Sequence, residues 1–256
     1  MTDNDSSRKT VDKAMQILHT FSEASPELSI SELSQKLGMH KSVVSRMVQT
    51  LRDWKMLEKD AVTGRIRVGE SAFRIGQLFS WHTSLARIAK PLLERLARDT
   101  GQAAHLSVLD RTFSLVVAGA DSPKALRVIM RIGEHRCLHS TAGGKLMLAY
   151  SDPQLLDSII KDPGLSALTA ETITSPEQLR SELDTIRRNG LAWNQGENTV
   201  GAGAVAAPVF DSTGRLAGAL SVVYPLNAVS KPELNAIADR VVLVAREFSR
   251  ELGHTG

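Results

Sequence analysis

The stretch KSVVSRMVQ, residues 41–49, places Lys41, Ser42, Ser45, Arg46 and Gln49 on one side of a helical repeat and Val44, Met47 and Val48 on the other. A face that only had to stay in water would be richest in Glu and Lys. This one holds hydroxyls, an amide and spaced cations, with no acid before Asp53. Such groups hydrogen-bond to phosphates and to base edges. A guanidinium such as that of Arg46 matches guanine bidentately, and an amide such as that of Gln49 matches adenine. Phosphate contact is the competing role for each, since at least half of protein–DNA hydrogen bonds go to the backbone. Val43 lies at the edge of the apolar stripe, where it either packs or meets a thymine methyl. Ser31 and His40 extend the same candidate set. Arg65 and Arg67 alternate along a following strand, suited to minor-groove or phosphate contact or simply to solvent.

The elements around this stretch have a recognisable order. Residues 1–7 are expected to be a disordered tail. Val11, Ala14, Met15, Ile17, Leu18 and Phe21 then recur at helical spacing, and the SEASPELS segment interrupts them. A short helix follows over 29–37, with Ser29 and Glu32 spaced as a capping box and Gly38 as its stop. The third helix spans about 41–54, and two short strands flank a turn at Val62-Thr63-Gly64. Helix, helix, tight turn, helix and two-stranded wing outline a winged helix-turn-helix over 8–69. In that motif the second helix of the pair enters the major groove. Between Lys36 and Arg67 there are eight cations and three acids, in a chain whose net charge is only +3. Positive charge is therefore concentrated where a DNA backbone would lie.

Other residues offer weaker chemistry. His135, Cys137 and His139 alternate, so on a strand they share a face and a metal site is conceivable, but no fourth ligand is evident. Cys137 has no base-and-orienter pair to make it a nucleophile. Lys145 follows Gly144, but the glycine and hydroxyl of a phosphate loop are missing. We expect no cofactor, no metal and no catalytic set.

A connecting helix is expected over 70–84, its Phe73, Ile75, Leu78, Phe79 and Trp81 carrying apolar surface toward another chain or domain. Residues 85–256 then read as an α+β domain. An amphipathic helix runs to Thr100. HLSVLD and FSLVVAG form a hairpin, and ALRVIMRIG a further strand. TAGGKLMLAY, 153–161 and 176–189 are helical. VGAGAVAAPVF and GRLAGALSVVYP are strands around a turn at 211–214, and a last helix covers about 231–252. This predicts an antiparallel sheet flanked by helices. One cysteine in 256 residues allows no internal disulfide and fits a reducing compartment. No apolar run approaches a membrane span, so a cytoplasmic protein with no membrane partner is expected.

The segments LHSTAGGKLMLAY (138–150) and LTAETITSPEQLRSELDTIRRNGLAWNQGENTVGAGAVAAPVFDSTGRLAGALSVVYP (168–225) resemble landmarks of the IclR family of bacterial transcriptional regulators. The resemblance covers nearly the whole chain. It implies a GAF-like effector domain, homodimers or homotetramers, and binding to double-stranded DNA at pseudo-palindromic operators as repressor or activator.

It also implies a pocket for a small carboxylate. The matching positions here are the backbone amides of Ala142 and Gly143, then Asn194, Ala202, Ala204, Ser221 and Val223, with Met130 as a further contact. Asn194 stands where the family's carboxylate binders often have Asp, Ala204 where Cys is common, and Val223 where a second Ser is common. A less polar and roomier pocket follows, for an acid larger or more apolar than glyoxylate or pyruvate, an aromatic acid first. The rival from another class is an enzyme on a small organic acid with an accessory DNA-binding domain.

Overall fold

The computed structural model describes residues 3–22, 25–77 and 80–255. It forms two compact units, divided between Ser80 and Trp81. The first contains α1 (Asp3–His19), β1 (Glu27–Leu28), α2 (Ile30–Leu37), α3 (Lys41–Asp53), β2 (Leu57–Lys59), β3 (Ile66–Val68) and α4 (Glu70–Gln77). Residues 3–7, expected as a disordered tail, belong to α1 instead.

In α2 the capping box is present, with Glu32 N donating to Ser29 Oγ at 3.2 Å and Ser29 N donating to Glu32 Oε2 at 2.6 Å. Gly38 ends the helix at φ 63°, a conformation glycine adopts without a Cβ penalty. Ile17, Leu28, Leu33, Val44, Val48, Leu57 and Ile66 form the buried core. The wing is a three-stranded antiparallel sheet in the order β1-β3-β2. The two-residue β1, which pairs Leu28 with Ile66, lies in the segment read only as a break.

Of the connecting helix expected over 70–84, residues 70–77 are helical in α4 and residues 80–84 are helical at the start of the next element, while Leu78 and Phe79 lie outside the described residues. Phe73 and Ile75 are exposed, at 67% and 59%. The side chains of Leu78, Phe79 and Trp81 lie outside the described residues.

The second unit contains α5 (Ser80–Thr100), β4 (Ala103–Asp110), β5 (Phe113–Ala120), β6 (His135–Cys137), α6 (Ala142–Tyr150), α7 (Pro153–Lys161), α8 (Pro176–Asn189), β7 (Ala192–Gln195), β8 (Ala202–Phe210), β9 (Leu216–Pro225) and α9 (Lys231–Glu251). Its six-stranded sheet is antiparallel throughout, in the order β6-β5-β4-β9-β8-β7. Alternation along the strands sorts residues to two faces. Leu106, Val205, Ala207, Leu220, Val222 and Tyr224 join the cluster made by α5 and α9. Ala204, Ala206, Ala219 and Val223 join the one made by α6, α7 and α8. The second face is lined by small residues, which lets α6 approach closely and leaves room beside it.

The ALRVIMRIG segment is not a strand. Residues 121–134 are irregular, and β6 takes the edge beside β5, pairing Cys137 with Phe113. The segment's apolar residues divide: Leu126, Ile129 and Ile132 are 67%, 62% and 59% exposed, while Val128 and Met130 pack on the core. Among the described residues no helix is long and apolar enough to cross a membrane.

Candidate functional site

In the first unit, Lys41, Ser42, Ser45, Arg46 and Gln49 are all exposed along α3, opposite buried Val44 and Val48. Val43 is half-buried at the edge, while Ser31 on α2 and His40 at the N-cap of α3 are exposed. His40 makes no side-chain cap bond, and while Val43 N donates to His40 O at 2.9 Å, the amides of Lys41 and Ser42 at the start of α3 face outward without a cap. Gln49 is engaged along its own helix, with Nε2 donating to Asp53 Oδ1 at 2.8 Å and Oε1 accepting from Arg52 Nη1 at 3.0 Å.

The two wing arginines differ from expectation. Only Arg67 lies within β3; Arg65 immediately precedes it. Arg65 Nη2 donates to Glu27 O at 3.0 Å and to Glu32 Oε2 at 2.9 Å, which binds it to the capping box of α2. Arg67 pairs with Glu58 at 2.5 Å and lies 3.8 Å from Glu27. The two are thus occupied by acids of their own unit. The Ser29 amide and hydroxyl, with Arg65 after them, hold the Glu32 carboxyl down to about 2.

In the second unit a cavity lies between the sheet and the start of α6. Met130, Ala142, Gly143, Asn194, Ala202, Ala204, Ser221 and Val223 all line it. They converge because β8 and β9 pair Ala204 with Val223, β7 and β8 pair Asn194 with Ala204, and α6 opens over the same face.

The start of α6 is built for close approach. A Cβ on Gly143 would lie 2.9 Å from Ser107 Oγ and 3.4 Å from Ser221 Oγ. Thr141 Oγ1 caps Gly144 N at 3.1 Å, and among the described residues the amides of Ala142 and Gly143 have no hydrogen-bond partner. Two free amides at a helix N-terminus, beside two hydroxyls, suit an anion.

Asn194 is placed differently from a simple ligand contact. Its Nδ2 donates to Ser140 O at 2.7 Å, and its Oδ1 accepts from Gly196 N and Glu197 N at 2.9 and 3.0 Å. The amide thus shapes the 196–201 loop. Thr172 Oγ1 and Thr169 Oγ1 brace that loop further, donating to Glu197 O at 2.6 Å and Gly196 O at 2.9 Å.

The cavity also contains polar residues that pattern reading missed: His105, Ser107, Ser114 and Arg136. On β4, His105 and Ser107 stand two apart, so they share the cavity face. His105 Nδ1, Ser107 Oγ, Ser221 Oγ and Arg136 Nε are buried without a partner. Burial, with the nearby Arg136 charge adding to it, pushes the His105 imidazole down to about 4, so it is neutral at pH 7.

His135, Cys137 and His139 do not assemble a metal site. The strand ends at Cys137, His135 Nε2 meets Asp110 Oδ2 at 2.8 Å, and His139 Nε2 meets Ser166 O at 3.0 Å. Among the described residues no group of three or more His, Cys, Asp or Glu side chains is placed to hold a metal ion.

Residues 79–250 match the family model for the bacterial transcriptional regulator IclR C-terminal domain, and residues 10–61 match that for the IclR helix-turn-helix domain. The chain belongs to the IclR family. It is 34% identical over 241 residues to the HTH-type transcriptional regulator BhcR of Paracoccus denitrificans, covering 94% of this chain and 86% of that one. The Thermotoga maritima IclR crystal structure matches with a TM-score of 0.80 at 26% identity, over 96% of this chain and all of that one. An IclR homolog from Microbacterium hydrocarbonoxydans, complexed with 4-hydroxybenzoate, shares the fold at 22% identity and a TM-score of 0.79, over 94% of this chain and 99% of that one. Within the IclR fold, the landmarks at 168–172 and 197–201 are now intelligible as one brace, the threonines of the first holding the loop that opens the second.

Proposed function

We propose that this IclR-family protein is a sequence-specific transcriptional regulator, acting in the cytoplasm, whose operator binding is modulated by a small organic acid. The observation that carries the DNA reading is the unpaired, exposed set Lys41, Ser42, Ser45 and Arg46 on α3. Arg65 and Arg67 contribute less, because acids of the same unit already hold them. Homo-oligomers on a pseudo-palindromic operator fit this reading, since two copies of α3 then reach successive major grooves.

The acid reading rests on the cavity at α6. Two free amides and two unpartnered hydroxyls supply an anion site, and Val128, Met130, Ala202, Ala204 and Val223 supply an apolar body. That composition suits an acid with an apolar body, an aromatic acid included. The acid changes operator affinity only to the extent that it binds one arrangement of the chain better than another.

The test is fluorescence anisotropy of the full-length protein on its own upstream DNA against scrambled DNA of equal length at fixed salt. A preference of about 10³-fold or more is expected for an operator. Equal binding to both sequences overturns the sequence-specific reading.

A further inference from the structure

The cavity has two separate polar ends. At one end lie the α6 amides, with Ser107 and Ser221 beneath them on β4 and β9. At the other lies Arg136 on the edge strand β6, opposite Ser114 of β5. With neighbouring strands roughly 4.8 Å apart, the backbone of Arg136 is about 10 Å from that of β4. Alternation on β6 sends His135 outward to Asp110 and leaves Arg136 to line the cavity.

Arg136 is only partly matched within the chain. Its Nη2 donates to Glu134 Oε2 at 2.9 Å, while its Nε is buried with no partner. His105, 6% exposed, lines the same cavity two residues before Ser107 on β4, with Nδ1 unpartnered. A neutral imidazole there is compatible with the cation beside it. One carboxylate at α6 satisfies the near amides and hydroxyls and leaves the Arg136 end unmet. An orphaned guanidinium N–H in a buried wall is costly, and an anionic oxygen is its strongest acceptor.

We infer that the effector is a small dicarboxylic acid, one carboxylate held at the start of α6 and the other by Arg136. This rests on the proposed acid site and narrows its ligand class. Arg136 is then the residue that selects two-charged acids over one-charged acids of the same body.

The experiment is titration calorimetry of the full-length protein with matched pairs: glutarate against butyrate, and isophthalate and terephthalate against benzoate. Monomethyl isophthalate keeps the diacid's shape and removes one charge. At least one diacid is expected to bind about tenfold or more tightly than its monoacid or monoester, the scale of one charge-assisted hydrogen bond. Arg136→Gln is expected to lower diacid affinity by more than monoacid affinity and so to abolish that ratio, and Arg136→Lys to keep part of it.

Monoacids binding as tightly as diacids, or Arg136→Gln weakening both by one factor, overturns the inference. If monoacids alone bind and shift operator affinity, this inference fails while the regulator reading stands. If none of these acids binds, both the dicarboxylate and the acid-effector readings fail. The wild-type ratio with the monoester decides the matter even if the variants do not fold.

Discussion

Lys145 Nζ donates to Glu197 Oε1 at 2.8 Å, with both side chains buried, and so ties the first turns of α6 to the loop that closes the cavity. Glu182 is a second acceptor at 3.1 Å from a partly exposed position on α8. Removing one partner of such a pair leaves a buried, uncompensated charge. Lys145→Met is therefore expected to destabilise the second unit by roughly 3–5 kcal/mol. Urea unfolding of the two proteins, followed by circular dichroism, checks this; a change below about 1 kcal/mol would mean that the pair merely breaks even with its desolvation.

The neutral state of His105 links stability to pH. Its folded pKa, about 4, lies below the unfolded value near 6.5, so the unfolded chain binds the extra proton first. The stabilisation is full above about pH 6.5, falls as pH drops toward 4, and is then exhausted. The loss is on the order of 3 kcal/mol. Unfolding midpoints measured from pH 7.5 to 4 should fall less steeply for His105→Asn than for wild type. Parallel slopes in the two proteins would place the acid sensitivity elsewhere.

On α3 and the wing, two arginines of similar sequence promise separate in effect. Arg46 is exposed and unpaired, so Arg46→Ala is expected to lower operator affinity by about 1–3 kcal/mol if it reads a base. Arg65 is bound to Glu27 O and Glu32, so Arg65→Ala is expected to loosen the capping of α2 and change operator affinity little. Anisotropy on operator DNA, paired with thermal unfolding of each variant, separates the two. A larger affinity loss for Arg65 than for Arg46 would reverse this assignment.

Much of this arrangement was legible in local chemistry. Pro153 and Pro176 at helix starts, Asn189-Gly190 at an end, and the spacing of Ser29 with Glu32 mark boundaries that the structure keeps. The eight positions named for the acid pocket, seven of them through the family landmarks, all line one cavity. What was not legible depends on partners distant in sequence. β7 is four residues long and exists because β8 offers it an edge. The 125–133 segment looks apolar enough for a strand, but β6 holds the place beside β5. Arg136 reads as a surface cation until the strand direction turns it into the cavity, and Arg65 reads as a free one until Glu32 is found beside it.

Gly143 offers the most direct separation of sensing from DNA binding. An added Cβ would meet Ser107 Oγ at 2.9 Å, with Ala219 Cβ and Ser221 Oγ both at 3.4 Å. The methyl would occupy the space that an anion needs to reach the α6 amides. In the helix itself, alanine gains up to about 1 kcal/mol over glycine, which offsets part of the crowding. Gly143→Ala is therefore expected to fold, to bind operator DNA as wild type does without acid, and to lose acid affinity by at least about tenfold, one charge-assisted hydrogen bond's worth. Calorimetric titration of the acid and anisotropy with and without it measure the two halves independently. Retained acid affinity in a folded Gly143→Ala protein would move the anion site away from the start of α6.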